Sequence, residues 1–173
     1  MDKCARAMGL DYPGGVNLDR VSKDANPGDY KLPRPKVDGS KYDFSFSGLK
    51  TAVINIIHNA EQKGETIDVP SLGACLTETV THCLTKNTME AASEFGYTKI
   101  ALAGGVSANS RLRAKMKELC DEKGYTLFMP SLDLCGDNAA MVGAQAYYEY
   151  LAGNTAGLDL NSYATMPIDK IIL

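Results

Sequence analysis

Between residues 99 and 151 the chain reads strand, helix, strand, helix, and no other feature constrains its fold as tightly. The run Lys99-Ile100-Ala101-Leu102-Ala103 closes on Gly104-Gly105. A helical pattern follows from Ser107, carries Leu112, Met116, Leu119 and Cys120, and stops at Gly124. Residues 125–129 read as a second strand, ended by Pro130. A last helix, from about residue 137 to 151, presents Met141, Val142, Ala144, Tyr148 and Leu151. This pattern is a parallel α/β unit, but two strands make a poor sheet, because parallel sheets need further strands and cover on both faces. The expected class is α/β, helix-rich, with a small parallel sheet that is incomplete.

The preceding residues supply helices. Residues 1–10 read as the end of one, running into the turn Asp11-Tyr12-Pro13-Gly14-Gly15. Pro, Gly, Lys and Asp dominate 26–42, so 26–46 is expected as an extended loop. A helix capped by Ser47 then places Leu49, Val53, Ile56, Ile57 and Ala60 on one face and ends at Gly64. A longer one starts near Pro70, buries Leu72, Leu76, Val80, Cys83, Leu84 and Phe95, and stops at Gly96.

With 173 residues, 45% of them apolar, the chain can bury a core. No apolar run reaches the roughly 18–20 residues of a membrane span, and no secretory leader is visible. A net charge of −3 argues against a dedicated nucleic-acid module, though an enzyme could meet RNA through a local patch. The five cysteines, Cys4, Cys75, Cys83, Cys120 and Cys135, form no C-x-x-C pair and read as buried packing in a reduced, cytoplasmic protein. His58 and His82 belong to no two-histidine metal spacing. Arg111, Arg113, Lys115 and Lys117, with Lys99 nearby, read as a solvated face or as phosphate contacts.

The sharpest chemical feature is the glycine turn between the first strand and its helix. Gly104 and Gly105 let a ligand approach the backbone, Ser107 suits the N-cap, and Asn109 can reach a ligand from the first turn. A phosphate or carboxylate fits such a helix start; a bare βα turn is the competing reading. Asp137, in Cys135-Gly136-Asp137-Asn138, reads first as an N-cap. It also follows the second strand, where α/β proteins place ligands, although one carboxylate does not define a metal site. Asp2 and Asp19 flank Gly14-Gly15 and could accept hydrogen bonds from ribose hydroxyls, or simply face solvent.

DYPGG, YDFSFSGLKT, LAGGVSANSRLR and CGDNAAM occur in that order over almost the whole chain. Together they resemble the tRNA N6-adenosine threonylcarbamoyltransferase family, formerly called the glycoprotease or O-sialoglycoprotein endopeptidase family. The resemblance implies an actin/Hsp70-like ATPase fold built from RNase H-like lobes. Residues 1–153 would form part of the second lobe and 154–173 a C-terminal tail. It also implies transfer of the threonylcarbamoyl group from threonylcarbamoyl-AMP to N6 of adenosine 37 in tRNAs reading ANN codons. Asp2, Gly15, Asp19 and Asn109 would line the adenylate site, supported by the turn at Gly104, Gly105 and Ser107. Asp137 would be one ligand of an active-site divalent metal, iron or zinc. Implied partners are tRNA, a smaller actin-fold paralogue and a P-loop ATPase.

The family's histidine ligands, its H-x-x-x-H motif and its first lobe have no counterpart in this sequence, so the isolated chain is expected to be inactive and to lack the metal. Val16 stands where the family has Pro, and Gly136 where it has Thr or Ser. Two competing readings are a scaffold fragment that self-associates and a generic actin-like nucleotide-binding lobe. DFSFSGLKT favours the transferase family over the latter.

Overall fold

The structure is a computed structural model that describes residues 1–34 and 37–165; residues 166–173 of the expected tail lie outside the described residues. The chain divides into two compact units, Met1–Cys135 and Gly136–Leu173. The first contains helices α1 (Asp2–Ala7), α2 (Gly14–Ser22), α3 (Ser47–Lys63), α4 (Val69–Phe95) and α5 (Ser110–Lys123). It also contains strands β1 (Lys99–Ala101) and β2 (Thr126–Phe128). The second unit is built on α6 (Ala139–Leu151).

Helix α4 organises the first unit. Its 27 residues span about 40 Å at the ordinary helical rise. Asp68 caps its start by accepting from the Ser71 amide at 3.3 Å, and Gly96 ends it in the left-handed region. The amino-terminal part of α4 gives Leu72, Leu76 and Val80 to one core, with Cys4, Ala5, Leu18, Leu49, Val53 and Ile57. Its carboxyl-terminal part gives Met89 and Ala92 to a second, smaller core with Ile100, Met116 and Cys120.

Two glycines set how closely the helices approach. A Cβ on Gly14 would stand 2.9 Å from the Asp2 Cα and from the Ala5 Cβ, so α2 can lie against α1 only without a side chain there. A Cβ on Gly73 would meet Leu18 Cδ1 at 2.9 Å and Ser22 Cβ at 3.3 Å, which draws α2 onto α4. Packing of this kind explains α2, which the sequence reading leaves as a turn. Gly-Gly, Val16, Asn17 and Asp19 are weak helix formers, and only Gly14, Leu18 and Ser22 are buried.

The sheet is two-stranded and parallel, pairing Lys99 with Thr126, Ile100 with Leu127 and Ala101 with Phe128. Each strand is three residues long, shorter than the five expected from the apolar runs. Ile100 is buried, whereas Ala101 and Phe128 are exposed. The chain is therefore helix-rich with a small parallel sheet, as an α/β lobe requires. The 26–46 segment is mostly irregular, with one 3-10 turn at Pro27–Asp29 and a bridge between Val37 and Ser40. It is fastened to α4 where Glu94 accepts from Lys41 and from the Tyr42 hydroxyl, and where Asn87 donates to the Tyr42 carbonyl at 3.1 Å.

Several local expectations are corrected. Phe95 does not join the buried stripe of α4: the helix outruns its core there, leaving Phe95 exposed with its ring 5.9 Å from that of Tyr42. Ser47 is the first helical residue and not a cap, since Phe46 occupies the cap position. Arg111 and Arg113 are not a solvated face. Arg111 pairs with Glu78 at 3.1 Å, and Arg113 turns inward to backbone carbonyls. Lys115 and Lys117 pair along their own helix, with Glu118 and Asp121.

All five cysteines are free and buried, and burial pushes the thiols of Cys4, Cys75, Cys83 and Cys120 up. In the second unit, no residue of α6 is buried, and Asn154 closes the helix end by donating to Glu149 Oε2 at 2.7 Å. Among the described residues no helix is long and apolar enough to cross a membrane.

Candidate functional site

A cleft of about 660 Å³ opens in the first unit, and Asp2, Gly15, Asp19, Gly105 and Asn109 all line it. These residues come from the first turn of α1, the two ends of α2 and the β1–α5 connection. The remaining wall is largely apolar, with Tyr12, Val16, Val106 and Leu132, each at least 46% exposed.

The carboxylates hold the backbone together as well as facing the cleft. Asp2 Oδ1 accepts from the Gly15 amide at 2.8 Å, satisfying an amide in the first turn of α2. A Cβ on Gly15 would only touch that carboxylate, at 3.8 Å, so its exposed backbone amide matters here more than its lack of a side chain. Asp19 Oδ1 accepts from Asn109 Nδ2 at 2.8 Å and from Ser110 Oγ at 2.9 Å, while Oδ2 accepts from the Ser110 amide at 3.2 Å. Asn109 in turn accepts from the Leu112 amide at 3.0 Å, which caps α5. Asp19 therefore locks the end of α2 to the start of α5, and its Oδ2 oxygen retains capacity for another donor.

The glycine turn differs from the sequence expectation. A 3-10 turn, Gly105–Ala108, intervenes between the glycines and α5, so Asn109 is the cap and Ser107 is not. Asn109 wins because its extended backbone aims its side chain at the third helical amide. The Ser110 and Leu112 amides at the start of α5 are consequently committed to Asp19 and Asn109. Within the turn, Ser107 and Asn109 donate to the carbonyls of Gly104 and Val106. No bond among the described residues takes the amides of Gly105 and Val106, and a Cβ on Gly105 would meet nothing within 4 Å. Gly104 and Ser107 do not line the cleft. The Ser107 hydroxyl is buried without a hydrogen-bond partner among the described residues.

Arg113, read from the sequence as part of a solvated or phosphate-contacting face, instead positions backbone behind the cleft. It donates to the Ser107 carbonyl at 3.1 Å and to the Pro130 carbonyl at 2.9 Å, and its Nη1 lies 3.8 Å from Cys135 Sγ. The only signal available was its place on the helix that follows the glycine turn.

Asp137 belongs to the second unit, where it is exposed. It is not the N-cap of α6. Asn138, in extended conformation, takes that position by accepting from the Met141 amide at 2.9 Å. Among the described residues no group of three or more His, Cys, Asp or Glu is arranged to hold a metal ion.

Residues 1–144 match the family described as TsaD, tRNA N6-adenosine threonylcarbamoyltransferase. The protein of that name from Clostridium botulinum (strain Kyoto / Type A2) is 42% identical over 169 residues, covering 98% of this chain and 50% of the relative. Its namesake from Moorella thermoacetica is 41% identical over 97% of this chain and 49% of the relative. That from Staphylococcus saprophyticus is 42% identical over 98% and 49%. The chain spans about half the length of the curated relatives it matches. On the extent of these matches, the chain belongs to the tRNA N6-adenosine threonylcarbamoyltransferase family.

Proposed function

We propose that the cleft is the adenylate-binding part of an enzyme that transfers a threonylcarbamoyl group from threonylcarbamoyl-AMP to N6 of adenosine 37 in tRNAs reading ANN codons. The observation that carries this reading is the convergence of Asp2, Gly15, Asp19 and Asn109 on one cleft beside Gly105. Electrostatics then orients the ligand. Two carboxylates repel a phosphate but accept from a ribose diol, so Asp2 and Asp19 take the sugar. The phosphate goes to the amides of Gly105 and Val106, and the apolar wall takes the adenine ring. Gly104 and Ser107 support that turn from behind.

In the transfer, the acceptor nitrogen attacks the carbamoyl carbon and gives up one proton to solvent, the bond from that carbon to the phosphate oxygen breaks, and AMP leaves with the electron pair. Amides at the turn stabilise the charge on the departing phosphate. The reading places residues 1–153 in an actin-like lobe with 154–173 as its tail, and extends to tRNA, an actin-fold paralogue and a P-loop ATPase as partners. It also assigns Asp137 as one ligand of an iron or zinc ion. A lone exposed carboxylate does not fit such an ion by itself.

Titration of the chain with AMP, followed by ligand-observed NMR, tests the cleft. Weak, millimolar binding is expected. Asp2→Asn should weaken it about tenfold, equivalent to about 1.4 kcal/mol, and 2′-deoxy-AMP should bind the wild type poorly. Unchanged affinity in Asp2→Asn, or no AMP contact by the wild type, would overturn the reading.

A further inference from the structure

A second cavity, of about 500 Å³, lies in the first unit between the 37–46 segment and α4 and shares no lining residue with the cleft. Its lining combines three nitrogen bases, Arg34, His82 and Lys86, with two phenyl rings, Phe44 and Phe46. His82 and Lys86 lie four residues apart on α4 and so share a face. Burial first, and then the charges of Arg34 and Lys86, hold His82 below its ordinary value, with Glu78 opposing.

Cations and carboxylates share this lining. Three cations, Lys41 included, line the cavity with Asp43 and Glu90. Arg34 makes no ion pair among the described residues. Glu90 reaches Lys86 only at 3.8 Å, with both side chains about half exposed, a pairing worth little. Lys41 is engaged with Glu94.

The rings supply the second half of the site. Phe44 and Phe46 are stacked, with centroids 6.1 Å apart and planes within 10°. Phe46 packs against the first core, while Phe44 is 45% exposed, so the pair is an anchored platform with a solvent-facing outer ring. Cationic groups beside an exposed aromatic platform match the way unpaired nucleotides are held, by stacking of the base and contact to the phosphate.

We propose that this cavity binds one unstacked nucleotide of an RNA strand, with its base on Phe44 and its phosphate among Arg34, His82 and Lys86. The choice of RNA rests on the tRNA substrate proposed above; the cations and rings stand without it. An acidic phosphopeptide would use the cations but gain little from a flat ring.

Fluorescence anisotropy with a short labelled single-stranded RNA, repeated over a range of salt, tests the assignment. The double variant Arg34→Ala/Lys86→Ala should bind about tenfold more weakly and flatten the salt dependence, since each lost phosphate contact removes about 0.7 from the log–log slope. Phe44→Ala should bind about tenfold more weakly with the slope unchanged, as expected for lost stacking, whereas Phe44→Tyr should bind like the wild type. No RNA binding by the wild type, wild-type affinity in both alanine variants, or equal competition by a phosphopeptide would each overturn the proposal. AMP titration of the wild type, Asp2→Asn and Arg34→Ala/Lys86→Ala separates the two sites, because AMP binding counts for the cleft only where Asp2→Asn weakens it and the double variant keeps it. RNA binding that survives without AMP binding removes the cleft reading alone. AMP binding that survives without RNA binding removes the second site alone.

Discussion

The two ends of α4 show how much a helix owes to its neighbours. At its amino-terminal end Leu72 is fully buried and Leu76 is 1% exposed, within a core shared with α1, α2 and α3. At its carboxyl-terminal end Met89 and Ala92 are buried against α5 and β1, but the helix finishes on an exposed Phe95, and Phe128 of β2 is exposed as well. The sequence is apolar enough at both ends. What differs is the partner: three helices close around one end, while a two-stranded sheet can cover only part of the other.

That contrast yields three measurements. Leu76→Ala should cost about 2–5 kcal/mol of stability in urea unfolding, the largest effect expected, because the surrounding helices leave little room to collapse. A value near zero would mean that this end is looser than its burial implies. Asn109→Ala should cost less, about 1–3 kcal/mol, by uncapping α5 and unpairing Asp19 where α2 meets the sheet end. The same urea curves report it, and hydrogen exchange should rise first in the opening turn of α5. Phe128→Ser should change stability by no more than about 0.5 kcal/mol, since the ring is 54% exposed. A large loss would show that the sheet end is better covered than the structure indicates.

The same contrast governs what could be read from the sequence. The stripes of α3, α4 and α5 were legible because their buried residues recur at helical spacing, as with Leu49, Val53 and Ile57. Helix α2 was not, because its helicity comes from the close approach of Gly73 and Gly14 to other chains of atoms, which no local pattern records. At the cleft, Asp2, Asp19 and Asn109 are candidates from their local settings, and only the resemblance groups them with Gly15 at one site. The bond from Ser110 to Asp19 joins residues 91 positions apart, and only the fold brings them together. The swap of Ser107 for Asn109 as cap reflects a finer limit. Both residue types suit the position, and the choice falls to a short 3-10 turn that glycines permit. Arg113 looked like one base among several because periodicity reports a helix face, not which turns fold onto it.

Arg113 also gives the cleft a mechanical property. Its guanidinium ties the carbonyl of Ser107, next to Val106, to the carbonyl of Pro130, two residues before Leu132. Val106 and Leu132 both line the cleft. One planar group thus acts as a rigid spacer between the connections that follow the two strands. Widening the cleft at one of these walls requires either breaking a hydrogen bond to Arg113 or carrying the other connection along, so these two walls respond to a ligand as a coupled pair.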